Sequence, residues 1–207
     1  MRMRSAYEKI IRENLAEVFD DPSGEERAEW TGAEKEDTAF RFRAFGRECR
    51  VSPEGIRLAG LPATGPEGVI ISLYLRHAHG AGLQMEPFRA FKDLKGSMPY
   101  QGAFSANAER VLVPHVPRIA ARRGEIVAAF DGHDGPEEAG GDLSFVLYPL
   151  PKIALCYVFY LPDEEFPASA TCLFSANADM FMPLDGLADT AEYTSRRIIA
   201  LLGTGED

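Results

Sequence analysis

The segment LSFVLYPLPKIALCYVFY, residues 143–160, decides the fold class. It contains two apolar runs, Leu143–Tyr148 and Ile153–Tyr160, which have the length and composition of buried strands. Pro149-Leu-Pro151 joins them, whereas parallel strands need a crossover of about a dozen residues or more. The sequence therefore predicts a central pair of antiparallel strands.

A second antiparallel region precedes this pair. From Thr38 the sequence has a period of two, as a half-buried strand does: Phe40, Phe42 and Ala44 alternate with Arg41, Arg43 and Phe45. Gly46 and Ser52-Pro-Glu-Gly55 are turn signals. We therefore predict a meander of short strands that ends near Leu58.

Helical spacing of apolar residues appears before, between and after these strand regions. Strands and helices do not alternate strictly, so this order predicts an α+β fold. We expect a mostly antiparallel sheet, from the meander and the central strand pair, packed by N-terminal, middle and C-terminal helices in a single domain of residues 1–207. The remaining predicted elements are helices at 5–19, 69–75, 106–113 and 117–130, a polar loop at 131–141, a strand or helix start at 170–174, and a last helix with Asp185 as its N-cap.

The chain is acidic, with 32 Asp and Glu residues against 22 Lys and Arg and a net charge of −10. General nucleic-acid binding requires a concentrated positive surface, so we expect no nucleic-acid partner. No stretch approaches the roughly 20 apolar residues that a membrane-spanning helix needs. Polar Tyr7-Glu-Lys9 stands where a secretory signal has its apolar region, so we expect a cytoplasmic protein with no membrane partner.

The cysteines Cys49, Cys156 and Cys172 are far apart in the sequence and form no CxxC pair. Structural zinc sites and self-contained iron–sulfur clusters use closely spaced cysteines, so we predict reduced thiols and no metal site. The sequence also lacks the G-x-S-x-G, G-x-G-x-x-G and H-E-x-x-H motifs and a phosphate-binding loop. It identifies no cofactor and no catalytic residue.

Several segments resemble a known family. Tyr148-Pro-Leu-Pro151, Asp163-Glu-Glu-Phe-Pro-Ala168 and Leu173-Phe174 resemble DUF3786, a family of domains of unknown function. In the first half, Phe45-Gly-Arg-Glu48 and Phe88–Leu94 are similar to the same family. The resemblance covers most of residues 40–190.

The resemblance implies a protein of anaerobic bacteria or archaea. Some members of the family are joined to cysteine-rich iron–sulfur segments of the type found in corrinoid proteins. This chain has no such segment, so a link to iron–sulfur or corrinoid chemistry would run through a partner protein. The family brings no established activity, and no catalytic residue is carried over.

The first candidate site is the acidic turn formed by Asp163, Glu164 and Glu165, followed by Phe166. Adjacent carboxylates can bind a hard cation or share a proton with a raised pKa. They can equally cap the next element, because anions are favoured at a helix N-terminus. Both interpretations remain open from the sequence.

The second candidate site is the strand face that carries Arg41 and Arg43. A pair of guanidinium groups on one face can hold a carboxylate or a phosphate in bidentate fashion. The alternative is a solvated sheet face that balances the many acidic residues. The same meander also contains Arg47, Arg50 and Arg57.

Aromatic residues and methionines cluster in the proline-broken middle of the chain. They either line a cleft for a flat apolar ligand or belong to the core, which is the usual place of aromatic residues. The set comprises Met85, Phe88, Phe91, Met98, Tyr100 and Phe104.

These observations leave three hypotheses for function. The first is a ligand-binding or accessory domain in anaerobic iron–sulfur or corrinoid metabolism, with its site at Asp163–Phe166 and at Arg41 and Arg43. The second is an enzyme that uses a carboxylate of the acidic turn as general acid or base on a small anionic substrate held by arginine. The third is a homo-oligomeric structural domain with the strand of Cys156 at an interface.

Overall fold

The computed structural model describes residues 2–203, with side chains described from residue 6 onward. Within that range, ten strands form two five-stranded antiparallel sheets. Sheet 1 is a meander in which each strand pairs with the next one along the chain. Its strands are β1 Glu34–Glu36, β2 Ala39–Ala44, β3 Arg47–Ser52, β4 Gly55–Leu58 and β5 Leu61–Pro62.

The turn between β2 and β3 fixes the register of sheet 1 and connects the two sheets. Ala44 pairs with Arg47, so the turn is only Phe45 and Gly46, both with positive φ, 52° and 72°. Phe45 is fully buried, and its backbone N–H donates to the carbonyl of Pro149 at 2.7 Å. Because Pro149 belongs to the second sheet, this hydrogen bond joins the two sheets.

Sheet 2 contains the predicted central pair. Its spatial order is β6-β10-β9-β8-β7, all antiparallel. One face of the middle strands carries Phe145, Tyr157 and Phe159 into the main core, and the other carries Val146 and Cys156 into a smaller apolar cluster. The strands are β6 Arg89–Ala90, β7 His133–Asp134, β8 Leu143–Leu150, β9 Ile153–Tyr160 and β10 Ser169–Phe174.

Seven α-helices complete the described part of the chain. The amphipathic α7 and the apolar α3 both pack into the main core, where Ile71, Tyr74 and Leu187 are inaccessible to solvent. The helices are α1 Arg2–Asp20, α2 Gly24–Thr31, α3 Pro66–Arg76, α4 Gln101–Phe104, α5 Val116–Ala121, α6 Arg123–Ala129 and α7 Leu184–Leu202. None of them combines the length and apolar character that crossing a bilayer requires.

The α+β prediction is confirmed, including the meander, the antiparallel strand pair and the packing by helices from all three regions. The strands belong to two sheets rather than one, because β1 to β5 pair only among themselves within residues 2–203. The segment at 170–174 is a strand, β10.

Several local predictions are wrong. Residues 106–113 do not form an α-helix: a π-helical turn at Ser105–Glu109 leads into a 3₁₀ segment at Arg110–His115. Pro114 lies inside that segment and cannot donate a backbone hydrogen bond, which disfavours an α-helix. The predicted helix at 117–130 is interrupted at Arg122, which separates α5 from α6.

Other boundaries also differ from the predictions. Pro183, not Asp185, is the N-cap of α7, and Asp185 lies in the first turn, where its negative charge still favours the helix dipole. The loop at 131–141 contains β7 and a 3₁₀ turn at Glu137–Ala139. Cys156 lies on β9, the middle strand of sheet 2, and its side chain is completely buried within the single chain.

Candidate functional site

The acidic turn lies on the surface after β9. Asp163, Glu164 and Glu165 are all exposed, and a carboxylate oxygen of Asp163 accepts hydrogen bonds from the backbone N–H of Phe166 at 2.7 Å and of Glu165 at 2.8 Å. These two hydrogen bonds lower the pKa of Asp163. Asp163 therefore shapes the turn, and the three carboxylates do not face a closed pocket.

Phe166 at the end of this turn is 66% exposed. Tyr160 and Leu161, at the end of β9, are exposed as well, 50% and 41%. Neighbouring exposed apolar side chains beside three carboxylates can form a surface on which another protein binds, since contiguous exposed apolar patches mark interaction sites. We call Tyr160, Leu161 and Asp163–Phe166 the acidic tip.

Arg41 and Arg43 share the exposed face of β2 but interact with different partners. Arg41 pairs with Glu34 at 3.0 Å and Glu36 at 3.4 Å, both on β1. Arg43 pairs with Asp131 at 2.5 Å and donates to the carbonyls of Gly46 and Ala129. The two guanidinium groups are therefore engaged separately.

The two predicted sites are not brought together. Arg41 and Arg43 lie on sheet 1, and the acidic tip follows β9 of sheet 2. Among the described side chains, no ion pair or hydrogen bond joins either arginine to Asp163, Glu164 or Glu165. The arrangement in which an acidic turn and an arginine face share one substrate is absent from residues 6–203.

A row of arginines crosses sheet 1 instead. Arg41 is the direct cross-strand partner of Arg50, and Arg50 is the direct partner of Arg57. All three side chains are on the exposed face of the sheet. Like charges directly opposite each other in a sheet are destabilising, and Glu36, which pairs with both Arg41 and Arg50, balances part of this row.

Beside the row, a groove of about 660 Å³ opens between α1, the β3–β4 hairpin and the segment after β5. We call it the α1 groove. Its lining includes the apolar side chains Ile11, Leu15 and Ile56, together with the charged residues Glu8, Arg12, Arg50, Glu54 and Arg57. A volume of this size is typical of small-molecule sites, which lie in the range of about 300–1,000 Å³.

Arg50 and Arg57 belong to the predicted meander but were not among the predicted site residues, and neither was Arg12. The missing signal was strand register. Pairing outward from the two-residue turns at Phe45-Gly46 and Pro53-Glu54 places Arg50 opposite both Arg41 and Arg57. The contribution of Arg12 depends on how α1 packs against sheet 1, which a single sequence does not specify.

The three cysteines are buried and free. Burial raises the pKa of Cys49 to about 12 and that of Cys156 to about 11, and it also raises the pKa of Cys172. Thiols in this state are poor nucleophiles, because the reactive form is the thiolate. Residues 6–203 contain no group of three His, Cys, Asp or Glu side chains arranged to hold a metal ion.

The aromatic cluster in the middle of the chain divides into core and surface. Phe91 and Phe104 are buried and stack with ring centroids 4.2 Å apart, and both rings also contact Phe174. Met98 and Tyr100, by contrast, are exposed. The core interpretation therefore applies to the two phenylalanines.

Comparison with known proteins identifies one family. The model of a domain of unknown function, DUF3786, matches residues 23–197. No curated protein and no solved structure matches the chain. The matched range includes both sheets and most of α7, and it begins after α1, which forms one wall of the α1 groove.

Proposed function

The chain belongs to the DUF3786 family, a domain of unknown function, and from this premise we propose that it is a binding or accessory domain for a small organic anion. The proposed ligand carries a carboxylate or phosphate group on an apolar body and binds in the α1 groove. The observation that carries the proposal is the arginine row, two members of which line the groove.

The arginines of the row have fewer carboxylate partners the nearer they lie to the α1 groove. Among the described side chains, Arg41 has two carboxylate partners, whereas Arg50 has only Glu36, at 4.0 Å. Arg57 donates to the carbonyl of Gly60 at 2.6 Å and has no carboxylate partner among the described side chains. A bound anion beside Arg50 and Arg57 would therefore relieve their repulsion, and charge-assisted hydrogen bonds from guanidinium groups are strong.

The lining of the groove also suggests the shape of the ligand. Ile11, Leu15 and Ile56 provide an apolar wall, and Arg12 adds a third cation. Glu8 and Glu54 line the same groove, so three cations face two carboxylates. A hydrogen bond from Ser52 lowers the pKa of Glu54, which favours its charged form. The small positive excess favours a ligand with one anionic group over a highly charged one.

The exposure of the acidic turn favours a binding function over acid–base catalysis. A general acid or base at neutral pH needs a pKa moved toward neutrality, usually by burial in a closed site. The carboxylates at 163–165 are exposed, and the pKa of Asp163 is lowered rather than raised.

The test uses octanoate, which has one carboxylate and an apolar chain, and 1-octanol as its uncharged counterpart. Calorimetric titration should show octanoate binding to the native chain, with affinity at least about tenfold weaker in an Arg50→Gln/Arg57→Gln double variant, because a hydrogen bond to a charged group contributes about 1.5–3 kcal/mol. Octanol affinity should be the same in both proteins.

Arg110→Gln is the matched control, since Arg110 is exposed and does not line the groove. This variant should bind octanoate like the native chain. The proposal is wrong if octanoate does not bind the native chain, or if the double variant binds it with unchanged affinity.

For the partner protein, we infer from the family resemblance a component of iron–sulfur or corrinoid metabolism that binds at the acidic tip. Support for this location comes from the exposed Phe166 next to three carboxylates, which suits a partner with an apolar pocket and a basic rim. This role also requires the cytoplasmic location expected from the sequence.

Affinity purification of the tagged chain from its native cells without oxygen tests the partner proposal. Co-purifying protein should contain iron or cobalt and should be depleted by Phe166→Ser. Met98→Ser is the control, because Met98 is 73% exposed and lies outside the acidic tip. Recovery of metal-free partners alone, or equal recovery with both variants, would contradict this inference.

A further inference from the structure

Arg47 points away from the arginine row. It begins β3 opposite Ala44, and because cross-strand partners share a face, its side chain extends on the side that carries the buried Ala44 and Cys49. There a terminal nitrogen of Arg47 donates to the hydroxyl of Tyr193 on α7 at 2.9 Å. The ring of Tyr193 packs edge-on against Phe45 with centroids 4.5 Å apart, which fixes the position of the hydroxyl.

Arg197 lies one helical turn after Tyr193 and therefore on the same side of α7. It is half-buried, and its pKa is lowered first by burial and then by the positive charge of Arg47. Arg47 and Arg197 belong to different elements, and both are neighbours of Tyr193, Arg47 through its hydrogen bond and Arg197 through its helical spacing.

Neither arginine is neutralised. Among the described side chains, no carboxylate oxygen lies within 4.0 Å of a charged nitrogen of Arg47 or Arg197. The Nε atom of each is also buried without a hydrogen-bond partner. Leaving the Nε donor of a charged group buried and unpaired is costly, and the chain, with ten more acidic than basic residues, supplies no carboxylate to either arginine among the described side chains.

Other arginines of this chain whose Nε is buried without a partner form an ion pair with a carboxylate. Arg27 and Arg123 also have a buried Nε without a partner, but Arg27 pairs with Asp21 at 2.6 Å and Arg123 pairs with Asp134. The pair Arg47 and Arg197 differs from them because its counter-ion is not supplied by residues 6–203.

We propose that Arg47, Arg197 and Tyr193 form a second binding site, for a small oxyanion such as phosphate or a carboxylate. The two guanidinium groups donate to the oxyanion and neutralise it, as paired arginines do in phosphate and carboxylate sites. The Tyr193 hydroxyl accepts from Arg47, so its own hydrogen is available to the oxyanion. All three residues lie within the range matched by the family model.

Titration of the full chain with inorganic phosphate, at constant ionic strength set by chloride, tests this site. Phosphate should raise the melting temperature of the native chain, and its affinity should fall by about tenfold or more in Arg197→Gln and in Arg47→Gln. Acetate in a parallel titration shows whether a carboxylate occupies the same site. Whatever the result with acetate, the proposal requires that at least one of the two anions binds the native chain.

Arg196→Gln is the matched control, because Arg196 is the adjacent residue, is exposed and already pairs with Glu192. It should retain the response to phosphate, as should the Arg50→Gln/Arg57→Gln double variant. Tyr193→Phe keeps both cations and should weaken binding by a few-fold through loss of one donor. This variant keeps the proposal testable if an arginine variant does not fold.

A stability comparison without phosphate gives an independent readout. Removal of one of two repelling cations should leave Arg197→Gln at least as stable as the native chain, whereas the native chain should be the more stable of the two in millimolar phosphate. The proposal is overturned if neither anion binds the native chain, or if phosphate stabilises Arg197→Gln and Tyr193→Phe as much as the native chain.

Discussion

Gly46 and Gly60 occupy equivalent positions in two turns of sheet 1. Each is the second residue of a two-residue turn, each has positive φ, 72° and 77°, and each follows a non-glycine residue that also has positive φ. Their surroundings differ. A Cβ atom on Gly46 would lie 2.2 Å from the carbonyl oxygen of Ala129, whereas nothing lies within 4 Å of that position at Gly60.

This pair predicts two different costs for one substitution. Gly60→Ala should lower the free energy of unfolding by about 1–2 kcal/mol, the cost of left-handed backbone for alanine. Gly46→Ala should lower it by more than about 4 kcal/mol, because the clash with backbone adds to that cost. Equilibrium urea unfolding measures both values, and equal losses would show that the contact between Gly46 and Ala129 is not needed.

At the scale of single elements, the buried thiol of Cys156 on β9 leads us to expect a loss of stability at alkaline pH. Burial raises the pKa of Cys156 from 9.0 to about 11, so the folded chain holds the thiol proton more tightly than the unfolded chain does. The stability from the neutral thiol is complete below pH 9 and is lost as the pH rises toward 11. The loss is about 2–3 kcal/mol, since one pKa unit corresponds to about 1.4 kcal/mol.

The measurement is the urea midpoint of the native chain and of Cys156→Ala between pH 8 and about 11. Cys49 and Cys172, whose pKa values are also raised by burial, are present in both proteins, so the informative quantity is the difference between the two pH profiles. The native chain should lose more stability over this interval than the variant. Parallel profiles would contradict the assigned pKa shift of Cys156.

Elements whose signals are local were predictable from the sequence. β8 and β9 are apolar runs with a short connection, and the β2 pattern alternates strictly, so both predictions needed no distant contact. The π-helical turn at Ser105–Glu109 was not predictable, because packing against α7 and β10, rather than local propensity, decides its geometry.

The candidate sites also divide into those predictable from local sequence and those that depend on distant contacts. The exposed acidic turn could be identified from adjacent carboxylates alone. The arginine row required the register of two hairpins, and the hydrogen bond between Arg47 and Tyr193 required the contact between sheet 1 and α7. Arginine spacing in the sequence therefore identified the meander but selected Arg41 and Arg43, neither of which lines the α1 groove.

At the scale of the whole molecule, we propose that residues 1–207 are one domain. Residues from both sheets and from α1, α3 and α7 belong to one contiguous hydrophobic core. Phe45 and Arg43 add hydrogen bonds between sheet 1 and the region of α6 and β8. Such shared packing predicts that the two sheets do not unfold independently.

Differential scanning calorimetry should therefore give a single transition whose van 't Hoff enthalpy equals its calorimetric enthalpy. Phe45→Ala should lower the melting temperature without splitting the transition. Two resolved transitions in the native chain would show that the sheets are separate domains.

The contact between Phe45 and Pro149 also has a consequence for the order of folding during synthesis. The β2–β3 hairpin closes locally over two residues, but its docking contact lies about a hundred residues further along the chain, and closure of so long a loop is slow. All of sheet 1 leaves the ribosome before β8 is made. The apolar face around Phe42 and Phe45 is then exposed on the nascent chain, where a chaperone can protect it until β8 is made.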